Sequence, residues 1–206
     1  VARRRAGEAT RRHFSAIADR LTEVFRAGEY DLLVLGGNQL SVDGLAAELP
    51  AELQTVLAGT FVVDPGAASP ADIRERCRTV AEEHEGRIDE RLVADLLEAA
   101  GARQRGLLGL DRVLDAANQH AIDMLLLDAG DLVPGMACPA CGWLARSGES
   151  CPACGAGMRR VADLFDAVAE ATRSSGGTIR YVLAPTPLAE FEAGAIVRFP
   201  VAAVGR

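Results

Sequence analysis

Two copies of Cys-Pro-Ala-Cys-Gly, at residues 138–142 and 151–155, stand nine residues apart, and they leave the segment between them few ways to fold. Each Cys-x-x-Cys turn aims two thiolates at one point. The glycine after each second cysteine, Gly142 or Gly155, permits the left-handed backbone that closes such a turn. With Cys138, Cys141, Cys151 and Cys154 as ligands, the shell is closed at four sulfurs, which is the pattern of a structural zinc rather than of an ion that activates water. Residues 134–158 are therefore expected to form a zinc ribbon, projecting as an insertion between a strand and the following helix. Iron is the rival metal, since rubredoxin-like sites use similar paired knuckles. Those sites sit among several aromatics, and here only Trp143 is close.

At 206 residues and 49% hydrophobic, the chain has room for two small cored domains. No apolar run approaches the roughly 20 residues of a membrane span, and the arginine-rich start lacks the apolar stretch of a secretion signal. The expected location is the cytoplasm, without a membrane partner. A reducing compartment also keeps Cys-x-x-Cys pairs available for metal. The fifth cysteine, Cys77, shares one helical stripe with Ile73, Val80, His84 and Ile88 and is expected to be ordinary core.

Charge is unevenly placed. Arg3, Arg4, Arg5, Arg11 and Arg12 against Glu8 give +4 in the first 13 residues, so the rest of a chain at −7 carries −11. An acidic body with one basic end can dock that end on phosphate without coating nucleic acid indiscriminately. A solvated helix start is the alternative. The chain begins with valine and is expected to be a fragment of a longer protein.

Apolar spacing predicts an amphipathic helix over residues 8–27, with Phe14, Ile17, Ala18, Leu21, Val24 and Phe25 on one face. A buried strand over 30–35 is closed by Gly36 and Gly37, which are expected to make a strand-to-helix turn. Short helices follow over 42–48 and from Pro50 to Leu57. A second strand over 60–63 ends at Asp64-Pro65-Gly66. Ser69 and Pro70 start a helix reaching about Ala100, with a break expected at Gly86. The best boundary is Gly101 to Gly106, which sets domains at 1–102 and 103–206. The second domain should hold a helix over 108–119, a strand over 123–127, the ribbon, a helix over 161–174, a strand over 178–183, a turn over 187–192 and a strand over 195–199. Alternating helices and buried strands predict an α/β fold in both halves.

Three segments carry a resemblance to the archaeal and eukaryotic class-1 peptide-chain release factors, Pelota and their bacterial relatives. The first is Arg11-Arg12-His13-Phe14 followed by Tyr30-Asp31-Leu32-Leu33-Val34-Leu35-Gly36-Gly37, which resembles the latter half of the family's central domain. Gly109 to Leu127, GLDRVLDAANQHAIDMLLL, is similar to the opening of the carboxy-terminal domain, and Phe191 to Phe199, FEAGAIVRF, to its close. In the family a glycine usually stands near His120, where this chain reads Asn118-Gln119-His120-Ala121.

The resemblance implies two α/β layer domains, one ribonuclease-H-like half and one shared with kink-turn-binding ribosomal proteins, with the zinc ribbon inserted in the second. It further implies a ribosome-binding translation factor, related to release or hibernation factors. Arg3, Arg4, Arg5, Arg11 and Arg12 would then face ribosomal RNA, and the carboxy-terminal domain a translation GTPase or other protein. The family's Gly-Gly-Gln loop is absent from this chain, and Gly36-Gly37-Asn38-Gln39 has an intervening asparagine after a strand, so no peptidyl-tRNA hydrolysis is expected of it. One alternative is a zinc-ribbon adaptor between proteins. Another, invited by the ribonuclease-H-like half, is a metal-dependent nuclease using Asp31, Asp43 and Asp64. His13, His84 and His120 stand apart, with no nucleophile motif beside them.

Overall fold

The computed structural model describes residues 2–28, 30–101, 105–128, 130 and 132–202, and of residues 2–6 the backbone alone. The chain divides into two compact units, Val1–Glu85 and Gly86–Arg206. Both are mixed α/β. No helix among the described residues is long and apolar enough to cross a membrane.

In the first unit, α1 (Ala2–Arg26) precedes β1 (Leu33–Gly37), α2 (Gln39–Glu48), α3 (Ala51–Thr55) and β2 (Leu57–Val62). The two strands pair in parallel, with Gly36 beside Phe61. Ala18 of α1 is buried with Leu35, Val42, Leu49 and Leu53, and Leu21 and Phe25 pack around them, so the predicted apolar stripe does seat the helix. Asn38 caps α2 by accepting from the Ser41 amide at 3.0 Å. Gly36 and Gly37 are strand residues, which corrects the expected turn. Gly36 is not at positive φ, and a Cβ there would lie 2.3 Å from the Phe61 ring, which would have to shift to admit it.

The helix α4 (Pro70–Gly101) starts as its sequence predicts. Ser69 Oγ accepts from the Asp72 amide, and the Asp72 carboxylate accepts from the Ser69 amide and hydroxyl, a reciprocal cap that holds the Asp72 carboxyl below its usual range. The expected break at Gly86 does not occur. The helix runs through it, because one glycine costs only about 1 kcal/mol against the bonds of a long helix. The division between the compact units thus falls inside α4, whereas the boundary expected at 102/103 lies on residues outside the described set. Cys77 and His84 are half-buried on α4, as are Ile73, Val80 and Ile88.

The second unit holds β3 (Gly106–Leu108), α5 (Leu110–Asn118), β4 (Ile122–Asp128), the short strands β5 (Gly135–Ala137), β6 (Leu144–Ala145) and β7 (Arg159–Val161), then α6 (Leu164–Ser174), β8 (Thr178–Val182) and β9 (Ala193–Val197). The main sheet has the order β3-β9-β4-β8, with β4 and β8 parallel and β9 antiparallel to both its neighbours. Leu125, Leu126 and Leu127 are all buried, and they face two different cores. Leu125 and Leu127 meet α5 and α6, while Leu126 joins Val93 and Leu96 of α4. A continuous apolar run is what a strand covered on both faces requires. The strand β3, only three residues long, falls where the sequence suggests a linker.

Asp89 holds α4 to this sheet. Its carboxylate, 1% exposed, accepts from Arg180 Nε at 2.7 Å and from the amides of Leu183 and Ala184 at 3.0 and 3.3 Å.

Candidate functional site

Cys138, Cys141, Cys151 and Cys154 bring their four sulfurs within 4.8 Å of one another. Cys138 and Cys154 stand 3.5 Å apart, as do Cys141 and Cys151. Four sulfurs at the usual zinc distance of about 2.3 Å would form a tetrahedron with edges of about 3.8 Å, so the set fits a tetrahedral ion. The knuckles repeat bond for bond. The amide of Gly142 donates to the Cys138 carbonyl and that of Gly155 to the Cys151 carbonyl, and both glycines have positive φ, 79° and 75°. Cys138 and Cys151 accordingly have buried side chains, and Cys141 and Cys154 exposed ones.

Burial and hydrogen bonding move three of the thiols in opposite directions. At Cys138 burial acts to raise the pKa, but hydrogen bonds from the amides of Cys141 and Ala140 and from the neighbouring thiols outweigh it and bring the group down to about 6. Cys141 moves the other way. The Trp143 amide favours its thiolate, yet desolvation and the three surrounding cysteines push it up to about 12. Cys154 is raised as well: the Ala156 amide works against that, and the contact with Cys138 prevails. The cluster thus accommodates negative charge at Cys138 and resists it at Cys141 and Cys154, which a divalent cation would relieve.

The ribbon is built into its domain, not merely projected from it. Ala137 and Leu144 belong to the main core with Val113, Leu125 and Leu164. Asn118, at the end of α5, donates to the Leu144 carbonyl at 2.8 Å and accepts from the Leu144 amide at 2.7 Å, closing the β6 edge of the ribbon sheet as a further strand would. Arg146 reaches Asp111 at 2.8 Å and Glu192 at 3.0 Å. The expectation of an independent insertion is corrected accordingly: short strands supply two buried side chains that the core needs. Asn118, Arg146 and Asp89 escaped the sequence, because nothing in their local pattern marks the distant groups they bind.

Of the basic end, Arg11 and Arg12 lie exposed on α1. Arg11 Nε donates to Glu48 at 2.8 Å, and Arg12 Nε to the Glu8 carbonyl at 3.4 Å. Arg3, Arg4 and Arg5 fall on the first turns of α1, and their side chains lie outside the described residues. Asp31, Asp43 and Asp64 are not brought together. Asp31 precedes β1 and Asp64 follows β2, and parallel pairing puts those positions at opposite ends of the two-stranded sheet. Asp43 instead accepts from Gln39, and Asp64 from the Gly66 amide. Among the described residues, the four cysteines are the only cluster of three or more candidate ligands.

Residues 2–82 match the model of the bacterial archaeo-eukaryotic release factor family 10. An archaeal Pelota, from a model of ribosome-bound Pelota and ABCE1, is 16% identical and superposes with a TM-score of 0.57 over 93% of this chain and 50% of its own. Dom34 of S. cerevisiae, a translation termination-like factor that interacts with Hbs1, is 13% identical, with a TM-score of 0.57 over 94% of this chain and 54% of its own. The chain shares the fold of Pelota and Dom34, and its residues 2–82 carry the match to release factor family 10. The fold likeness extends beyond the matched residues to the second unit, and the chain spans about half the length of those two relatives. No curated protein matches it. His120 takes a conformation that favours glycine: its φ is 53°, and the amides of His120 and Ala121 donate to the carbonyls of Ala117 and Ala116, a Schellman closure of α5.

Proposed function

We propose that this chain is the ribosome-binding part of a cytoplasmic translation factor, holding one structural zinc ion and acting in release-factor-like hibernation or rescue rather than in peptide hydrolysis by its own residues. The observation that carries the reading is the match of residues 2–82 to a release factor family, joined to a Pelota-like fold over nine-tenths of the chain. In this role Arg3, Arg4, Arg5, Arg11 and Arg12 meet ribosomal RNA, because guanidinium groups neutralise phosphates and stack on bases. Arg12 is the freer of the two described cations, Arg11 being held by Glu48. The second unit is the place for a translation GTPase or another protein partner. Gly36-Gly37-Asn38-Gln39 serves as a strand end and a helix cap, with the Gln39 amide spent on Asp43.

Ribosome cosedimentation with a salt titration tests this. Binding should weaken steeply as salt rises, and Arg12→Ala should reduce the log–log slope by about one unit with the fold unchanged. Arg11→Ala should add a smaller loss and remove a surface pair worth about 0.2–1 kcal/mol. Parent and variants that bind ribosomes equally at every salt concentration, or not at all, would sink the proposal.

A further inference from the structure

Between the ribbon and the helices α5 and α6 lies a groove of about 390 Å³, bordered on one side by Cys138 and Cys141 of the cysteine cluster and extending beyond it. Trp143, His120, Arg159 and Glu170 line it, together with the small side chains of Ala167 and Ala171. Three features of this groove point the same way.

The first is charge. Arg159 and Arg160 are adjacent and exposed on β7, the edge strand opposite the one that Asn118 closes, and neither has an ion-pair partner among the described residues. The third arginine of the ribbon, Arg146, is held by Asp111 and Glu192. Successive strand residues point to opposite faces, so the two guanidiniums straddle the sheet edge, with Arg159 on the groove side. The second is shape. Trp143 and His120 offer flat π surfaces in a space of small-molecule size, and Trp143 is half-buried with part of its indole still open. The third is strain. His120 occupies a left-handed position that glycine would take without penalty, while its imidazole is exposed and lines the groove.

We infer that this groove binds one unstacked nucleotide of single-stranded RNA, its base among Trp143 and His120 and its flanking phosphates on Arg159 and Arg160. Aromatic surfaces beside a cationic edge are the combination that takes up unpaired bases. An acidic peptide would satisfy the arginines but leave the π surfaces without a partner. The inference rests on the ribosomal reading for the source of the RNA, and it places a second RNA contact on the second unit, apart from α1.

Trp143 is the only tryptophan of the chain, so its fluorescence reports on the groove directly. The zinc-loaded full chain, titrated with uridine and adenosine dodecamers, should show a saturable change in that fluorescence. Arg159→Gln with Arg160→Gln should weaken the binding by about tenfold or more and lower the salt slope by about 1.4, two contacts on a single strand. His120→Gly should weaken it severalfold while the melting temperature holds or rises, which a merely structural histidine would not do. Dodecamers that leave Trp143 unmoved, variants that bind as the parent does, or a polyglutamate peptide that outcompetes RNA would each overturn the site. Ribosome binding through Arg12 with Trp143 silent toward RNA would reject this groove alone. An RNA response that obeys these variants, in a protein that ribosomes do not bind, would reject the ribosomal reading alone.

Discussion

Replacing Asp89 by alanine should cost the second unit about 3 kcal/mol. Three donors converge on this carboxylate, Arg180 Nε and the amides of Leu183 and Ala184, and it is almost fully shielded from water. Removing one member of a buried ion pair costs about 3–5 kcal/mol, because the partner's desolvation is no longer offset. The Arg180 side chain is 30% exposed and can regain some hydration, which sets the expectation at the lower end. Asp89→Asn retains an oxygen for the amides while discarding the charge, and should cost about half as much. Urea unfolding of zinc-loaded protein, followed at Trp143, reads the difference. With an m-value of about 2 kcal/mol/M, the midpoint should fall by about 1.5 M for alanine and by about 0.7 M for asparagine. A midpoint shift under about 0.3 M for Asp89→Ala, with m unchanged, would show that α4 is held by apolar burial alone and that the pair contributes nothing net.

Loading the cysteine cluster with zinc should release at least the protons of Cys141 and Cys154, whose thiols are raised, so affinity should weaken by about two decades per unit fall in pH; calorimetry in buffers of different protonation enthalpy counts them. Cys151→Ser should lower the metal content from one equivalent and also lower the melting temperature of the second unit, since Ala137 and Leu144 lie in its core; an unchanged melting curve would restore the picture of an independent ribbon. Thr172→Val should be neutral or stabilising by about 1 kcal/mol in urea titration, because the buried Thr172 hydroxyl has no hydrogen-bond partner among the described residues to lose. Gly36→Ala should destabilise the first unit by about 1–3 kcal/mol through the Phe61 ring, and a stabilising result would favour the turn expected from sequence.

What the sequence determined by itself was whatever rests on local chemistry. The paired knuckles contain their own cysteines, turns and glycines, so the four-cysteine cluster was legible without any tertiary contact. The Ser69-Pro70 helix start, the α1 stripe and the apolar run Leu125-Leu126-Leu127 were legible for the same reason, since caps and periodicity act within one or two turns of chain. Tertiary structure decided the rest. Gly36 looks like a turn glycine until Phe61, 25 residues on, is laid over it by parallel pairing. Asn118 and Asp89 look like ordinary helix polar residues until folding carries Leu144 and Arg180 to them. The two knuckles repeat a sequence, but whether their ribbon stands apart or completes a core depends on where Ala137 and Leu144 come to lie. That is fixed by burial against α5 and α6, a nonlocal free energy that no window of residues encodes alone.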